Sequence, residues 1–324
     1  MRRTPRRVFN LVSPFLRYMR GRRSIIRFKR LYKSFLSDPR RFTNQDAQQL
    51  LRQAFLASKG DSLRWALRLQ QSASLVTADR SFYSALFPAL DEGAVEEATK
   101  ALRDDGCYVL PWKISGDWLD AITRKAMAFD VVGQGNHIQK PESIEPRGAV
   151  YHHHPRDLAT IPEVKELALD RGISRIATEY FGCEPVIDCV SAWWTFPVGG
   201  VADSDAAQLY HYDLDRIRWL KVFVYLTDVD KLSGPHAFIR GSHRTIGNKI
   251  SRDDRHSDDE VFSMYPRTEE VVFIAPRGTV ILEDTLGFHK GFPAVANHRF
   301  MFELQLSVNH FGYPYEDLGF ENPM

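Results

Sequence analysis

Apolar positions recur at helical spacing along the first third of the chain. In TNQDAQQLLRQAFLAS (43–58), Leu50, Leu51, Ala54 and Phe55 share one face behind candidate caps at Thr43 and Asn44. DSLRWALRLQQSASLV (61–76) and DEGAVEEATKALRDDG (91–106) repeat the pattern, and Gly106 ends the last of these helices. CYVLP (107–111) reads as a short strand stopped by Pro111. A helix capped by Ser115 follows, with Trp118, Ile122 and Met127 among its apolar residues. Another is predicted over IPEVKELALDRGISRIATEYFG (161–182), ending at Gly182.

Beyond Gly182 the period changes from helical to strand-like. PVIDCVSAWWTFP, WLKVFVYLTDV, EEVVFIAP, GTVILED and RFMFELQLSVNHF are strand candidates separated by turns such as VGG, LSGP and APRG. The last one alternates. Arg299, Met301, Glu303, Gln305 and Ser307 fall on one face, and Phe300, Phe302, Leu304, Leu306 and Val308 on the other. One apolar and one polar face suit a sheet with helices behind it and a pocket in front. Helices first and strands later predict an α+β fold.

Composition narrows the picture. The chain has 324 residues, 44% hydrophobic and 26% charged, which is ordinary for a globular protein. Its net charge of +2 conceals an asymmetry: residues 1–41 carry +13 and the remainder −11. The Arg-rich start fits an amphipathic helix on an anionic membrane surface, an organelle transit peptide, an arm for an acidic partner, or a plain basic tail. Residues 1–42 are therefore expected as a basic arm outside the catalytic domain, followed by a helical extension over 43–95 and the main domain over 96–324. No nucleic-acid partner is expected. Cys107, Cys183 and Cys189 are odd in number and lack metal-site spacing, so reduced buried thiols are predicted. No apolar run approaches the roughly 20 residues of a membrane span. The expected location is the cytoplasm, with organelle targeting or a membrane surface as the alternatives that the basic start leaves open.

The candidate chemistry lies in LYHYDLDRIRWLKVFVYLTDVD (209–230). His211 and Asp213 stand two apart at the entrance to an apolar run. On a strand, residues i and i+2 point the same way, so an imidazole and a carboxylate project together. That supplies two ligands of a 2-His-1-carboxylate triad, which holds Fe(II) with positions left open. A structural hydrogen-bonded pair is the other reading, and Asp215 replaces Asp213 if the segment is helical. His289 is the best third ligand, because Arg299 follows it by ten residues and a hairpin brings that cation back beside the metal. Arginine suits bidentate capture of a carboxylate. His243 and His298 are the competing histidines. Tyr151-His152-His153-His154 is the one other histidine cluster, with a pocket-lining role ahead of a second metal site.

RDDGCYVLP (103–111), YHYD (210–213), VFVYLTDVDKLSGPHAFIRGSHR (222–244) and PRGTVILEDTLGFHKGFPAVANHR (276–299) together resemble the phytanoyl-CoA dioxygenase family of Fe(II)/2-oxoglutarate oxygenases. The resemblance implies a double-stranded β-helix, the cupin-like jelly roll, with the N-terminal helices packed on one sheet. It implies iron ligands His211, Asp213 and His289, and Arg299 on the distal carboxylate of 2-oxoglutarate, with Fe(II), 2-oxoglutarate and O2 as cofactor and cosubstrates. The implied reaction is hydroxylation of an aliphatic C–H bond in a small-molecule or lipid-like substrate, giving succinate and CO2. A catalytically silent cupin-like binding protein is the alternative, possibly attached to a surface through its basic arm. Relatives often have a hydroxyl residue two positions after the distal histidine and a lysine in the strand before HxD; here those places hold Gly291 and Thr195. Thr195 and Gln208 are further expected around the cosubstrate, and Trp193, His153 and Tyr210 around the substrate.

Overall fold

The computed structural model describes residues 14–38, 45–74, 82–199 and 202–320. Three helices come first: α1 (Pro14–Ser37), α2 (Gln45–Ser58) and α3 (Asp61–Ala73). Helix α4 (Glu92–Asp104) leads into β1 (Cys107–Val109), and α5 (Gly116–Ala126) into the short β2 (Val131–Val132) and β3 (Ile138–Gln139). Strand β4 (Val150–His153), helices α6 (Pro155–Ala159), α7 (Pro162–Ala168) and α8 (Arg171–Phe181), and β5 (Val186–Thr195) follow. The second half contains β6 (Trp219–Tyr225), β7 (His236–Ile239), α9 (Ser242–Lys249) and α10 (Asp258–Met264). It closes with β8 (Glu270–Phe273), β9 (Val280–Glu283), β10 (His289–Gly291) and β11 (Arg299–Ser307).

The strands form an antiparallel sheet in the order β1-β9-β6-β11-β5-β4-β2-β3, faced by a smaller one in the order β10-β7-β8. This is the double-stranded β-helix with helices on the outer face of the large sheet. Strand β11 is its centre, paired with β5 on one side and β6 on the other. Phe300, Phe302, Leu304 and Leu306 enter the large core shared with the helices, whereas Met301 joins Phe223, Tyr225, Phe238 and Phe273 between the sheets. A period-2 sequence on a strand covered on both sides produces this split.

Three differences from the sequence reading have physical causes. The helix expected over 161–182 is two. Asp170 interrupts it by accepting from the Ile173 amide at 2.9 Å and the Ser84 hydroxyl at 2.7 Å, the behaviour of an N-cap. The strand expected to start at Trp219 does start there, but His211 and Asp213, read as lying at its entrance, stand on a separate extended segment whose residues 210 and 211 bridge His256 and His289, the latter at the start of β10. The third concerns the basic segment, which was expected outside the catalytic domain. From Pro14 it is helix α1, and Phe28, Tyr32 and Phe35 are buried. Tyr32 stacks edge-on to Phe311 at 5.0 Å, and its hydroxyl accepts from Asn309 Nδ2 at 3.0 Å. An apolar stripe at spacing i, i+4, i+7 outweighs the mutual repulsion of the surrounding cations. The candidate caps Thr43 and Asn44 lie outside the described residues. Among the described residues no helix is long and apolar enough to cross a membrane.

Phe28 is the test of this packing. Phe28→Ala is expected to lower the unfolding free energy by about 3–5 kcal/mol, the cost of truncating a buried aromatic. Chemical denaturation measures it. A loss below about 1 kcal/mol would mean that α1 contributes little to the cooperative fold.

Candidate active site

The site is assembled from main chain first. His211 donates its amide to the His289 carbonyl at 3.0 Å, and His289 returns the bond at 2.9 Å. Two residues on, the Asp213 amide donates to the Thr285 carbonyl at 2.8 Å. Residues 211 and 213 therefore present their amides to the same neighbouring segment, as an extended strand does, and their side chains share a side. The imidazoles of His211 and His289 end with ring centroids 4.1 Å apart.

Among the described residues, His211, Asp213 and His289 are the group of three able to share a metal ion, each offering a ligand atom within 4.8 Å of the others. The histidines are prepared for it. Nδ1 of His211 donates to the Leu209 carbonyl at 3.0 Å, and Nδ1 of His289 to the Gly287 carbonyl at 3.0 Å. Each bond fixes the tautomer that leaves the Nε2 lone pair free. Burial pushes both imidazoles below their ordinary pKa, so they stay neutral and able to coordinate. Nε2 of His289 lies 3.7 Å from Asp213 Oδ2. That buried oxygen accepts no well-formed hydrogen bond, although the Lys221 ammonium stands 3.0 Å away. Burial alone raises a carboxyl pKa, but the Lys221 ammonium reverses this and holds Asp213 well below the carboxylate range. Two lone pairs and an ionised carboxylate oxygen, all facing one point, fit a divalent cation.

Competing residues lie elsewhere. Asp215 is paired with Arg52 at 2.8 Å. His298 is exposed and packs on Trp194, and His243 donates from Nε2 to the Arg103 carbonyl at 3.2 Å.

Arg299 opens β11 directly across from Thr195 on β5. It is only 4% exposed. One Nη donates to the Gly234 carbonyl and the other to Thr195 Oγ1 at 3.3 Å. Its Nε has no partner, and no carboxylate pairs with it among the described residues. Burial pushes the guanidinium pKa down. A buried, uncompensated cation is costly unless an anion arrives.

Both features open on one cavity of about 270 Å³. Arg299, Thr195, Gln208, Gly291 and His289 lie on its walls, and the alternating face of β11 supplies Met301, Glu303 and Gln305. Gln208 is pinned there, its Oε1 accepting from the Asp203 amide at 2.8 Å. Trp193 lines the cavity and Trp194 is turned into the core, stacked on Phe300 at 4.1 Å.

Two expected substrate residues are elsewhere. His153 is buried outside the cavity against Phe300, and its neighbour His152 takes the lining position, because β4 alternates and residue 152 pairs with Trp193. Tyr210 points into the core, donating its hydroxyl to Glu270 and packing on Phe262 and Phe288. It precedes His211 in an extended segment and so faces the opposite way.

Lys221, Phe223 and His236 line the cavity and escaped the sequence reading. Lys221 had a signal: it is the charge inside the apolar run WLKVFVY. It bridges Asp213 and, at 3.4 Å, Glu303. His236 lies against Glu283 at 3.0 Å; burial pushes that carboxyl up to about 8 and the imidazole down to about 3.

The comparisons agree with this geometry. The chain belongs to the phytanoyl-CoA dioxygenase family, whose model matches residues 102–299, more than half of the sequence. No curated protein matches it. Among solved structures it is similar to the non-heme alpha ketoglutarate dependent carbocyclase SnoK from nogalamycin biosynthesis: 16% identity, TM-score 0.50, covering 69% of this chain and 86% of that one. The alpha ketoglutarate dependent epimerase SnoN from the same biosynthesis shares 16% identity at TM-score 0.51, over 71% of this chain and 88% of its own. EctD from S. alaskensis, solved with bound Fe, shares 21% identity at TM-score 0.49, over 77% and 91%. At this identity the first two likenesses establish the fold alone.

His153 gives a pH test. Both of its ring nitrogens are buried without partners, and burial lowers its pKa to about 4. The folded state prefers the neutral ring, so stability is complete above the unfolded value near 6.5 and falls as pH drops from there toward 4. His153→Leu is expected to stabilise the protein by about 1–3 kcal/mol and to do so more at pH ~5 than at pH ~8. Denaturation at both pH values measures it; equal shifts would refute the titration account.

Proposed function

We propose that the protein is an Fe(II)/2-oxoglutarate-dependent dioxygenase that hydroxylates an aliphatic C–H bond of a small-molecule substrate. The observation that carries this reading is the convergence of His211, Asp213 and His289, with both histidines lining a cavity that is also lined by an uncompensated buried arginine. Iron held there, with 2-oxoglutarate and O2, supplies the oxidant for C–H bonds, and succinate and CO2 are the co-products.

The residues divide the work. His211 Nε2, His289 Nε2 and one oxygen of Asp213 would hold the metal. Arg299 binds the distal carboxylate of 2-oxoglutarate, which ends its own lack of an anion. Thr195 keeps the guanidinium in place and supplies the hydroxyl that Gly291 lacks. Gln208 closes the cosubstrate end. Lys221 holds Asp213 ionised and oriented. Trp193, Met301, Glu303 and Gln305 border the space left for substrate, where Trp193 and Met301 exclude water. Retention of Asp213 separates this site from halogenating relatives, which lack the carboxylate to make room for a halide.

Anaerobic titration with Fe(II) and 2-oxoglutarate tests the cofactor assignment through the weak visible charge-transfer band of the chelate. The band is expected in the native protein and absent in Asp213→Ala. In Arg299→Ala the 2-oxoglutarate affinity is expected to fall on the order of a hundredfold, as loss of a buried charge partner worth about 3 kcal/mol dictates. A band unchanged by Asp213→Ala would remove Asp213 from the ligand set. No band at all would favour the catalytically silent binding protein. Incorporation of label from 18O2 into product separates hydroxylation from epimerisation or ring closure.

A further inference from the structure

The outer face of α1 has no role in the site. Its inner face, Phe28, Tyr32 and Phe35, is committed to the core. What remains outside is almost wholly cationic: Arg20, Arg22, Arg23, Arg27, Arg30 and Lys33 are exposed, and no acid occurs before Asp38. At 100° per residue these six fall within one half-turn of the helix surface. Among them two large apolar side chains face solvent, Ile26 at 55% exposure and Leu31 at 38%.

We propose that this face docks the protein on an anionic lipid bilayer. Three observations select the partner. The first is charge: among the described residues, this one helix face presents Arg20, Arg22, Arg23, Arg27, Arg30 and Lys33 to solvent, while residues 42–324 carry a net −11. An anionic plane attracts such a face and favours the orientation that presents it. The second is the placement of Ile26 and Leu31 within the cationic face. Phosphate backbones of nucleic acids take cations and gain nothing from isoleucine or leucine, whereas the acyl boundary of a bilayer takes both. The third is that α1 is already folded against Trp65 and Phe311, so its cations are presented in fixed order without the entropy of ordering a tail.

Flotation of the purified full chain with vesicles tests this. The vesicles are phosphatidylcholine alone, or equal parts phosphatidylcholine and phosphatidylserine. Binding is expected to the anionic vesicles only and to fall steeply with added salt. The triple variant R23E/R27E/R30E is expected to lose it by more than a hundredfold, since each cation near an anionic surface contributes on the order of fivefold. The variant I26S/L31S is expected to keep the salt dependence and bind several-fold more weakly. Far-UV circular dichroism and Fe(II) binding serve as controls, because all five residues are exposed and none lines the cavity. Three results would each overturn the proposal: no flotation with anionic vesicles, equal flotation by the charge-reversed variant, or tighter binding to a DNA duplex that is insensitive to I26S/L31S.

Discussion

The two backbone hydrogen bonds between His211 and His289 hold the centre of this protein together. They tie the segment before β6 to the start of β10, so the two sheets of the jelly roll are joined at the cavity mouth by the residues that bear the imidazoles. The carbonyls of Leu209 and Gly287, each two residues before its histidine, complete the arrangement by fixing both tautomers. Local backbone geometry thus does what would otherwise require a set of buried polar side chains.

Charge is the second constraint. Lys221, Glu303 and Arg299 line the cavity and the half-buried Asp213 stands against Lys221, a concentration of charge that an apolar core excludes. Three of them form a chain, with the Lys221 ammonium between two carboxylates. Arg299 lies outside that chain and keeps its charge among neutral acceptors. The protein therefore holds one end of the cavity electrically closed and the other open to an anion.

Much of this was legible in the sequence, for identifiable reasons. The alternation from Arg299 to Val308 fixed which side chains of β11 face the cavity, because period 2 admits two assignments and only one places the phenylalanines inside. The spacing of His211, Asp213 and His289 was legible because the site rests on extended backbone. Three things were not. The break at Asp170 depends on Ser84, 86 residues away. The choice of His152 over His153 depends on the register of β4 against Trp193, which no local pattern encodes. The fate of the basic segment depended on a partner surface, Trp65 and Phe311, contributed by α3 and by the segment after β11.

The pairing of Thr195 with Arg299, and of Ser191 with Glu303, places the buried arginine and the remaining cavity wall on the same two strands, four residues apart. Side chains at positions 191, 193, 301, 303 and 305 project from a sheet whose register is held by main-chain bonds and by the buried faces of β5 and β11. Those at 191, 193 and 305 can change without disturbing the histidine bridge, whereas Glu303 flanks Lys221 and Met301 is packed between the sheets. The fold thereby separates what must be kept from what is free to diverge, and selection can retune substrate choice on this scaffold through single strand-facing substitutions while the machinery for oxygen stays as it is.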